Sequence, residues 1–254
     1  MEVSADPRLN RCTGILVLEE RLMEISAVSF DGDMTLWDLW KVMRHSLKHT
    51  LAELQKQVPT QRALELTVDE MIAIREQFAE EVKGKIWNLE EIRRRAFERT
   101  LEYVGCPDKE LATHLNAIYR KHRFEDIELY PDVIPTFDVL APQFKLGLLS
   151  NGNTYPERCG LEGYFVFVVF SQDVQIEKPD RRIFEITAQR AGCELAQILH
   201  VGDSLENDVA GARNAGAHSV WLNRESVPND TDTQPDYEVA SLTEIPTILG
   251  LGGK

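Results

Sequence analysis

Three short apolar runs in this chain each stop abruptly on polar residues, and that pattern constrains the fold more than any other feature. Residues 25–30 run into Asp31-Gly32-Asp33-Met34-Thr35, residues 144–149 into Ser150-Asn151, and residues 198–201 into Gly202-Asp203-Ser204. A short, nearly continuous apolar run is what a parallel strand covered on both faces looks like. Reactive groups in open parallel sheets gather at the carboxyl ends of the strands. Three such strands side by side therefore aim carboxylates and hydroxyls at one edge of one sheet.

Lys178-Pro179 and Asp208 supply the rest of a polar constellation with several carboxylates, one cation and two hydroxyls. Hard oxygen ligands of this kind suit Mg²⁺, which is usually shared with a substrate phosphate. Between the first and second runs lies an insert of helical period. Leu36, Trp40, Met43, Leu47, Leu51 and Leu54 recur at spacings of three and four and form one apolar stripe. A second helix starts at Thr67, with Glu70 completing a capping box, and reaches Gly84 through Met71, Ile74, Phe78 and Val82. A third begins near Asn88 and ends before Gly105. A fourth spans about residues 108–122, so the insert reads as a four-helix bundle.

After residue 128 strand and helix alternate, as in a doubly wound α/β sheet. Strands are expected at 165–170, 219–222 and near Tyr237, with helices at 180–191, 205–215 and 242–249. The organisation that follows is an N-terminal extension over 1–22, an α/β core from 23–36 and 128–254, and a helical domain over 37–127.

The four islands, taken in order, resemble the haloacid dehalogenase superfamily: DxDxT at Asp31, Asp33 and Thr35, then Ser150, Lys178, and Gly202-Asp203 with Asp208. The resemblance spans residue 24 to about 248. It implies a Rossmann-like core with a mobile helical cap inserted after the first strand. It also implies roles. Asp31 is the expected nucleophile and Asp33 the expected acid and base. Thr35, Ser150, Asn151 and Lys178 are expected to hold the phosphate. Asp31, Asp33 through its backbone carbonyl, Asp203 and Asp208 are expected to hold Mg²⁺, with Ser204 close by.

Within the family, dehalogenases typically lack an acid at the position of Asp33, because a halide leaves without a proton. Its presence favours phosphate ester hydrolysis, and residues 148–153, 156–161 and 165–170 resemble the branch of nucleotide, flavin-mononucleotide and sugar-phosphate phosphatases, which implies a small phosphorylated metabolite. A 2-haloacid dehalogenase, a phosphomutase and a phosphonate hydrolase using Lys41 or Lys48 as a Schiff base stay open, as does a non-catalytic binding member. Gly32 and Met34 depart from the common pattern, in which a bulkier residue stands between the aspartates and Gly, Asn or Asp follows the second. At Gly32, close backbone approach to a phosphate and an unusual backbone conformation are both compatible with the residue.

Trp37, Trp40, Lys41, Arg44, His45, Lys48 and Trp87 are the candidates for gripping a leaving group, with Trp37 or Trp87 stacking on a ring. The plainer expectation is that Trp40 is core and that the basic residues, including Arg93-Arg94-Arg95, form a solvated face. His114, His122 and His200 show no ligand spacing and take no metal role. With 42 acidic against 28 basic residues the net charge is -14, which argues against a broad nucleic-acid or anionic-membrane surface. Cys12, Cys106, Cys159 and Cys193 show no CxxC spacing and read as reduced thiols, pointing to the cytoplasm.

Overall fold

The computed structural model describes residues 25–251. The expected 1–22 extension and Cys12 lie outside the described residues. A six-stranded sheet forms the centre: β1 (Ala27–Phe30), β2 (Lys145–Ser150), β3 (Phe167–Phe170), β4 (Ile198–Gly202), β5 (His218–Leu222) and β6 (Tyr237–Val239). The spatial order is β3-β2-β1-β4-β5-β6, and every pairing is parallel. The chain winds outward from β1 in both directions, so a crevice opens where β1 meets β4 and β2. Asp31, Ser150 and Asp203 all stand there, at the strand ends.

Alternation along the strands explains both layers. Val28 and Phe30 of β1, Leu146 and Leu148 of β2, and Leu199 and Val201 of β4 share one cluster with Val133, Phe137 and Leu140. Ala27, Leu149 and Ile198 face the other way, against Ile183, Phe184, Ala188 and Ala212. Two helix layers thus bury both faces of the sheet, as all-parallel sheets require. The architecture is the Rossmann-like, doubly wound α/β core that the strand pattern predicts.

Five helices lie between β1 and β2 ahead of the core helix α6 (Val133–Leu140). They are α1 (Leu39–Gln57), α2 (Gln61–Glu65), α3 (Val68–Glu81), α4 (Leu89–Tyr103) and α5 (Lys109–Glu125). The four long ones match the expected bundle. The short α2 is an addition to it; Thr60 caps it by accepting the amide of Ala63, and five residues are too few to show a helical period. Elsewhere each start is written in the sequence. Asp38, Thr67, Asn88 and Asp108 all cap with their side chains, and the Thr67–Glu70 capping box forms as expected. The bundle has its own core of Met43, Leu47, Leu54, Leu101, Leu115 and Tyr119.

The Asp38 cap starts α1 three residues after Leu36, which turns the stripe slightly. Trp40 is therefore 47 % exposed rather than core, while Trp37 is fully buried. The run expected as one helix over 205–215 is split, with a π-helical stretch at Leu205–Ala210 before α9 (Gly211–Ala215). The remaining core helices are α7 (Ser171–Val174), α8 (Arg181–Ala191) and α10 (Ile245–Ile248). No helix among the described residues is long and apolar enough to cross a membrane. Cys106, Cys159 and Cys193 are unpaired.

Candidate active site

The turn after β1 is built by two backbone decisions. Gly32 O accepts the amides of Thr35 at 3.2 Å and Leu36 at 2.8 Å, and Met34 sits in the left-handed region at φ 66°. The unusual conformation thus belongs to Met34, where a Gly, Asn or Asp would be relaxed; a Met there costs about 1 kcal/mol. Gly32 itself has no positive φ. It is needed because a Cβ there would stand 2.6 Å from Cζ2 and 2.9 Å from Cη2 of the Trp37 indole. Trp37 therefore does not stack on a ligand. It fills the core beneath the turn and donates its Nε1–H to Asp33 Oδ1 at 2.7 Å.

The two aspartates diverge in their partners. Asp31 Oδ1 accepts from Lys178 Nζ at 2.6 Å, and the same ammonium donates to Asp208 Oδ1 at 2.5 Å. Ligand oxygens of Asp31, Asp203 and Asp208 lie within 4.8 Å of one another, and Thr35 Oγ1 donates to Asp203 Oδ1 at 3.4 Å. Asp33 instead faces Trp37 and the helical insert, with Arg123 Nη2 4.0 Å away.

Burial sets the charges of this cluster. It pushes the Asp31 carboxyl well above the usual range against the pull of Lys178, and Asp208 and Asp203 push the same way. Burial also raises Asp203 to about 6, with Asp208 adding to it. At Asp208 burial is outweighed by the Lys178 charge and by His200, so this carboxyl stays well below its ordinary value. Lys178 is buried too, yet Asp208 and Asp31 hold it firmly protonated. Three carboxylates against one ammonium leave a formal charge of about -2 on hard oxygens, a donor set that fits a divalent cation such as Mg²⁺.

Support comes from residues that the motifs do not mark. Buried His200 bonds Ser29 Oγ through Nδ1 at 2.8 Å and Asp208 Oδ1 through Nε2 at 3.0 Å. Burial lowers its pKa. A neutral ring with Nε2–H toward the acceptor-only carboxylate satisfies both contacts. The expected phosphate ligand Asn151 is engaged elsewhere. Its side chain donates to the backbone O of Lys178 at 3.1 Å and accepts from its N at 2.9 Å, fixing the lysine loop. Lys178-Pro179 is a cis peptide. Ser150 Oγ accepts the amide of Gly152 at 2.9 Å. Ser204 accepts from Asn207 N at 3.1 Å and gives its own amide to Asp208 Oδ2 at 3.0 Å, bracing that carboxylate.

Several candidates from the helical insert are elsewhere. Lys41 is exposed and paired with Glu128 at 2.8 Å, and Arg44 with Asp69 at 2.7 Å. Lys48 lines the same outer cleft as Lys41 and His45. Half-buried Trp87 borders a groove facing Gln172, Asp173 and Gln175 of the core. The solvated-face expectation fails for Arg93, which is buried and bonded to Glu90 and to Asn153 of the core. His122 stacks on His49 at 3.8 Å beside His45, and Asp126 bonds His45 and His122. His45 and His49 are four residues apart on α1, so only His122, from α5, was beyond reach of sequence spacing.

A parallel sheet thus delivers an aspartate from its central strand onto a buried lysine and two further carboxylates. The pattern of the haloacid dehalogenase-like hydrolases matches residues 25–216, and the chain belongs to that family. Glyceraldehyde 3-phosphate phosphatase of Methanopyrus kandleri is 29% identical over 236 residues, 89% of this chain and 97% of its own. N-acylneuraminate-9-phosphatase of Homo sapiens is 27% identical over 238 residues, 90% of this chain and 95% of its own. A solved 2-haloacid dehalogenase from Pseudomonas syringae pv. Tomato DC3000 superposes with a TM-score of 0.77 at 31% identity, covering 89% of this chain and 98% of that one. The chain is thus a hydrolase of this family.

Proposed function

We propose that the protein is a Mg²⁺-dependent phosphatase of small phosphorylated metabolites that works through an aspartyl-phosphate. The observation that carries this reading is the separation of the two aspartates. Asp31 belongs to the Lys178 cluster, whereas Asp33 is held outside it by the Trp37 indole. A group placed there faces the leaving oxygen rather than the attacking one.

A carboxylate oxygen of Asp31 attacks phosphorus as the ester P–O bond breaks, and Asp33 gives its proton to the departing alkoxide. Asp33 then takes a proton from water as that water attacks phosphorus. Inorganic phosphate leaves and the Asp31 carboxylate is restored. Lys178 balances the charge on the phosphoryl oxygens, and Thr35 and Ser150 offer hydroxyls to them. Asn151 acts through the Lys178 loop. Asp31, Asp203 and Asp208, with the Asp33 carbonyl, would hold the metal, which neutralises phosphoryl charge when bound.

The five-helix insert serves as the cap over 37–127 and excludes bulk water and folded protein substrates. A cytoplasmic metabolite accords with the absence of a membrane-spanning helix among the described residues. The Schiff-base alternative finds no support at Lys41, whose amine is exposed and held more strongly protonated by Glu128.

The test is phosphate release from alkyl and p-nitrophenyl phosphates with Mg²⁺. Asp31→Asn is expected to abolish it. Asp33→Asn is expected to slow alkyl esters by about 10²- to 10⁴-fold, and the nitrophenyl ester far less, because nitrophenolate leaves without a proton. Equal losses on both esters overturn the role of Asp33. Halide release from 2-chloropropionate by a protein inert to every ester overturns the phosphatase reading.

A further inference from the structure

Arg123, near the end of α5, is a buried cation whose hydrogen-bonding capacity is mostly unspent. Its side chain is 4 % exposed. Nη2 donates to Thr154 Oγ1 at 2.9 Å, while Nε and Nη1 have no partner. The carboxylate it approaches is Asp33, but at 4.0 Å, and that oxygen already accepts from Trp37. A guanidinium buried with open donors is costly unless an anion completes it.

Arg93 adds a second buried cation from α4. Its Nη1 bonds Glu90 and its Nη2 bonds Asn153, the residue before Thr154. Two arginines from different helices therefore converge on residues 153–154, just beyond Ser150-Asn151-Gly152. Burial, and then the neighbouring Arg123 charge, lower Arg93 to about 10. Glu90 balances Arg93 at 2.9 Å, whereas Arg123 has no carboxylate within hydrogen-bond distance and is the cation that an anionic ligand would complete.

The position of Arg123 says which part of the substrate that anion is. The transferring phosphoryl group has Lys178, Thr35 and Ser150 on the Asp31 side. Arg123 stands by Asp33, on the side of the leaving oxygen. We infer that Arg123, backed by Arg93, is a subsite for a second oxyanion, a carboxylate or another phosphate, carried by the leaving group a few bonds from the ester oxygen. Nη2, which spends one hydrogen on Thr154 and lies nearest Asp33, forms a fork with either of the open nitrogens Nε and Nη1, so the guanidinium holds such a group through two donors. The substrate class is then phosphorylated acids or bisphosphates, and neutral alcohol phosphates are discriminated against.

This inference rests on the phosphatase reading above, and one experiment separates the two. The probes are ω-phosphooxy carboxylates with one to four methylenes, the matched terminal alcohols, and the matched bisphosphates. For at least one chain length the intact protein is expected to favour an anionic ester over its alcohol by about 10² or more in kcat/KM, since a site built to bond a polar group rejects the analogue lacking it. Whether carboxylates or bisphosphates gain identifies the oxyanion. Arg123→Met is expected to collapse that ratio to within about threefold of unity, and Arg123→Lys to keep part of it, a charge without the fork. Calorimetric binding of the same esters to the Asp31→Asn protein is expected to show the same preference without turnover.

Equal hydrolysis of anionic and neutral esters by the intact protein overturns the subsite and leaves the phosphatase reading standing. So does an Arg123→Met protein, folded by circular dichroism, that loses both esters equally. Should that variant fail to fold, the intact protein's own ratio and Arg123→Lys decide. Failure to hydrolyse any ester overturns both readings.

Discussion

Replacing Gly32 by Ala tests whether the turn between the aspartates is shaped by the indole beneath it. The new Cβ would lie 2.6 Å from Trp37 Cζ2, 2.9 Å from Cη2 and 3.4 Å from Ser150 Oγ, where carbon atoms rest about 3.5–4.0 Å apart. The indole must retreat by about 1 Å, yet Trp37 is fully buried in the same cluster as Phe30, Leu36 and Val133. Overpacking of this kind costs about 1–3 kcal/mol. Retreat also loosens the 2.7 Å bond from Nε1 to Asp33, and losing a hydrogen bond to a charged group costs about 1.5–3 kcal/mol. A destabilisation of about 4 kcal/mol corresponds to a fall of about 8–16 °C in Tm for a protein of this size.

Chemical denaturation of Gly32→Ala, Trp37→Phe and the double variant reads the cause directly. Phe removes the ring edge that the methyl would strike. In the Trp37→Phe background Gly32→Ala is therefore expected to cost under about 1 kcal/mol, a coupling of about 3 kcal/mol. The same cost in both backgrounds, or a Gly32→Ala protein as stable as its parent, refutes the indole contact as the reason for glycine.

Two further outcomes follow from buried charge. Lys178→Met leaves Asp31 and Asp208 without their shared cation, so unfolding free energy in EDTA is expected to fall by about 3–5 kcal/mol and phosphate release to vanish; undiminished stability by calorimetry refutes the pairing. Asp132 accepts from Arg224 at 2.8 and 3.0 Å, Ser241 Oγ at 2.9 Å and Leu242 N at 2.9 Å. Burial raises its pKa, but these donors win and the net shift is downward. Its contribution is thus complete above the unfolded value of about 3.9 and lost as pH falls through the lower folded value. Asp132→Asn should cost about 2 kcal/mol at pH 7 and converge on the parent in urea titrations at low pH; a gap that ignores pH refutes the assignment.

The sheet was legible because its central strands are buried runs with abrupt polar ends, and three of the long insert helices because Thr67, Asn88 and Asp108 announce them. Asp31, Lys178, Asp203 and Asp208 come together as their motifs imply. What the sequence hid depends on distant contacts or on short elements. Trp37 and Trp40 are three residues apart on an apparent stripe, and only the start of α1 decides which is core. Arg93 sits in a run of three arginines, so its burial against Asn153 has no local sign. Arg123 carries no motif at all, and neither does the link of Asn151 to the Lys178 backbone. The phosphate role expected of Asn151 came from its place beside Ser150, which fixes adjacency but not direction.

The helices join the sheet through two chain crossings, and these are tied to each other. Trp37 bridges Asp33 on one side and Leu129 on the other, and the Tyr130 amide bonds Leu36 O at 2.9 Å. The crossings form a short ribbon rather than two independent strings. A shift of the chain leaving the sheet at Trp37 is therefore passed directly to the chain re-entering it at Leu129, and neither crossing can be repositioned without the other.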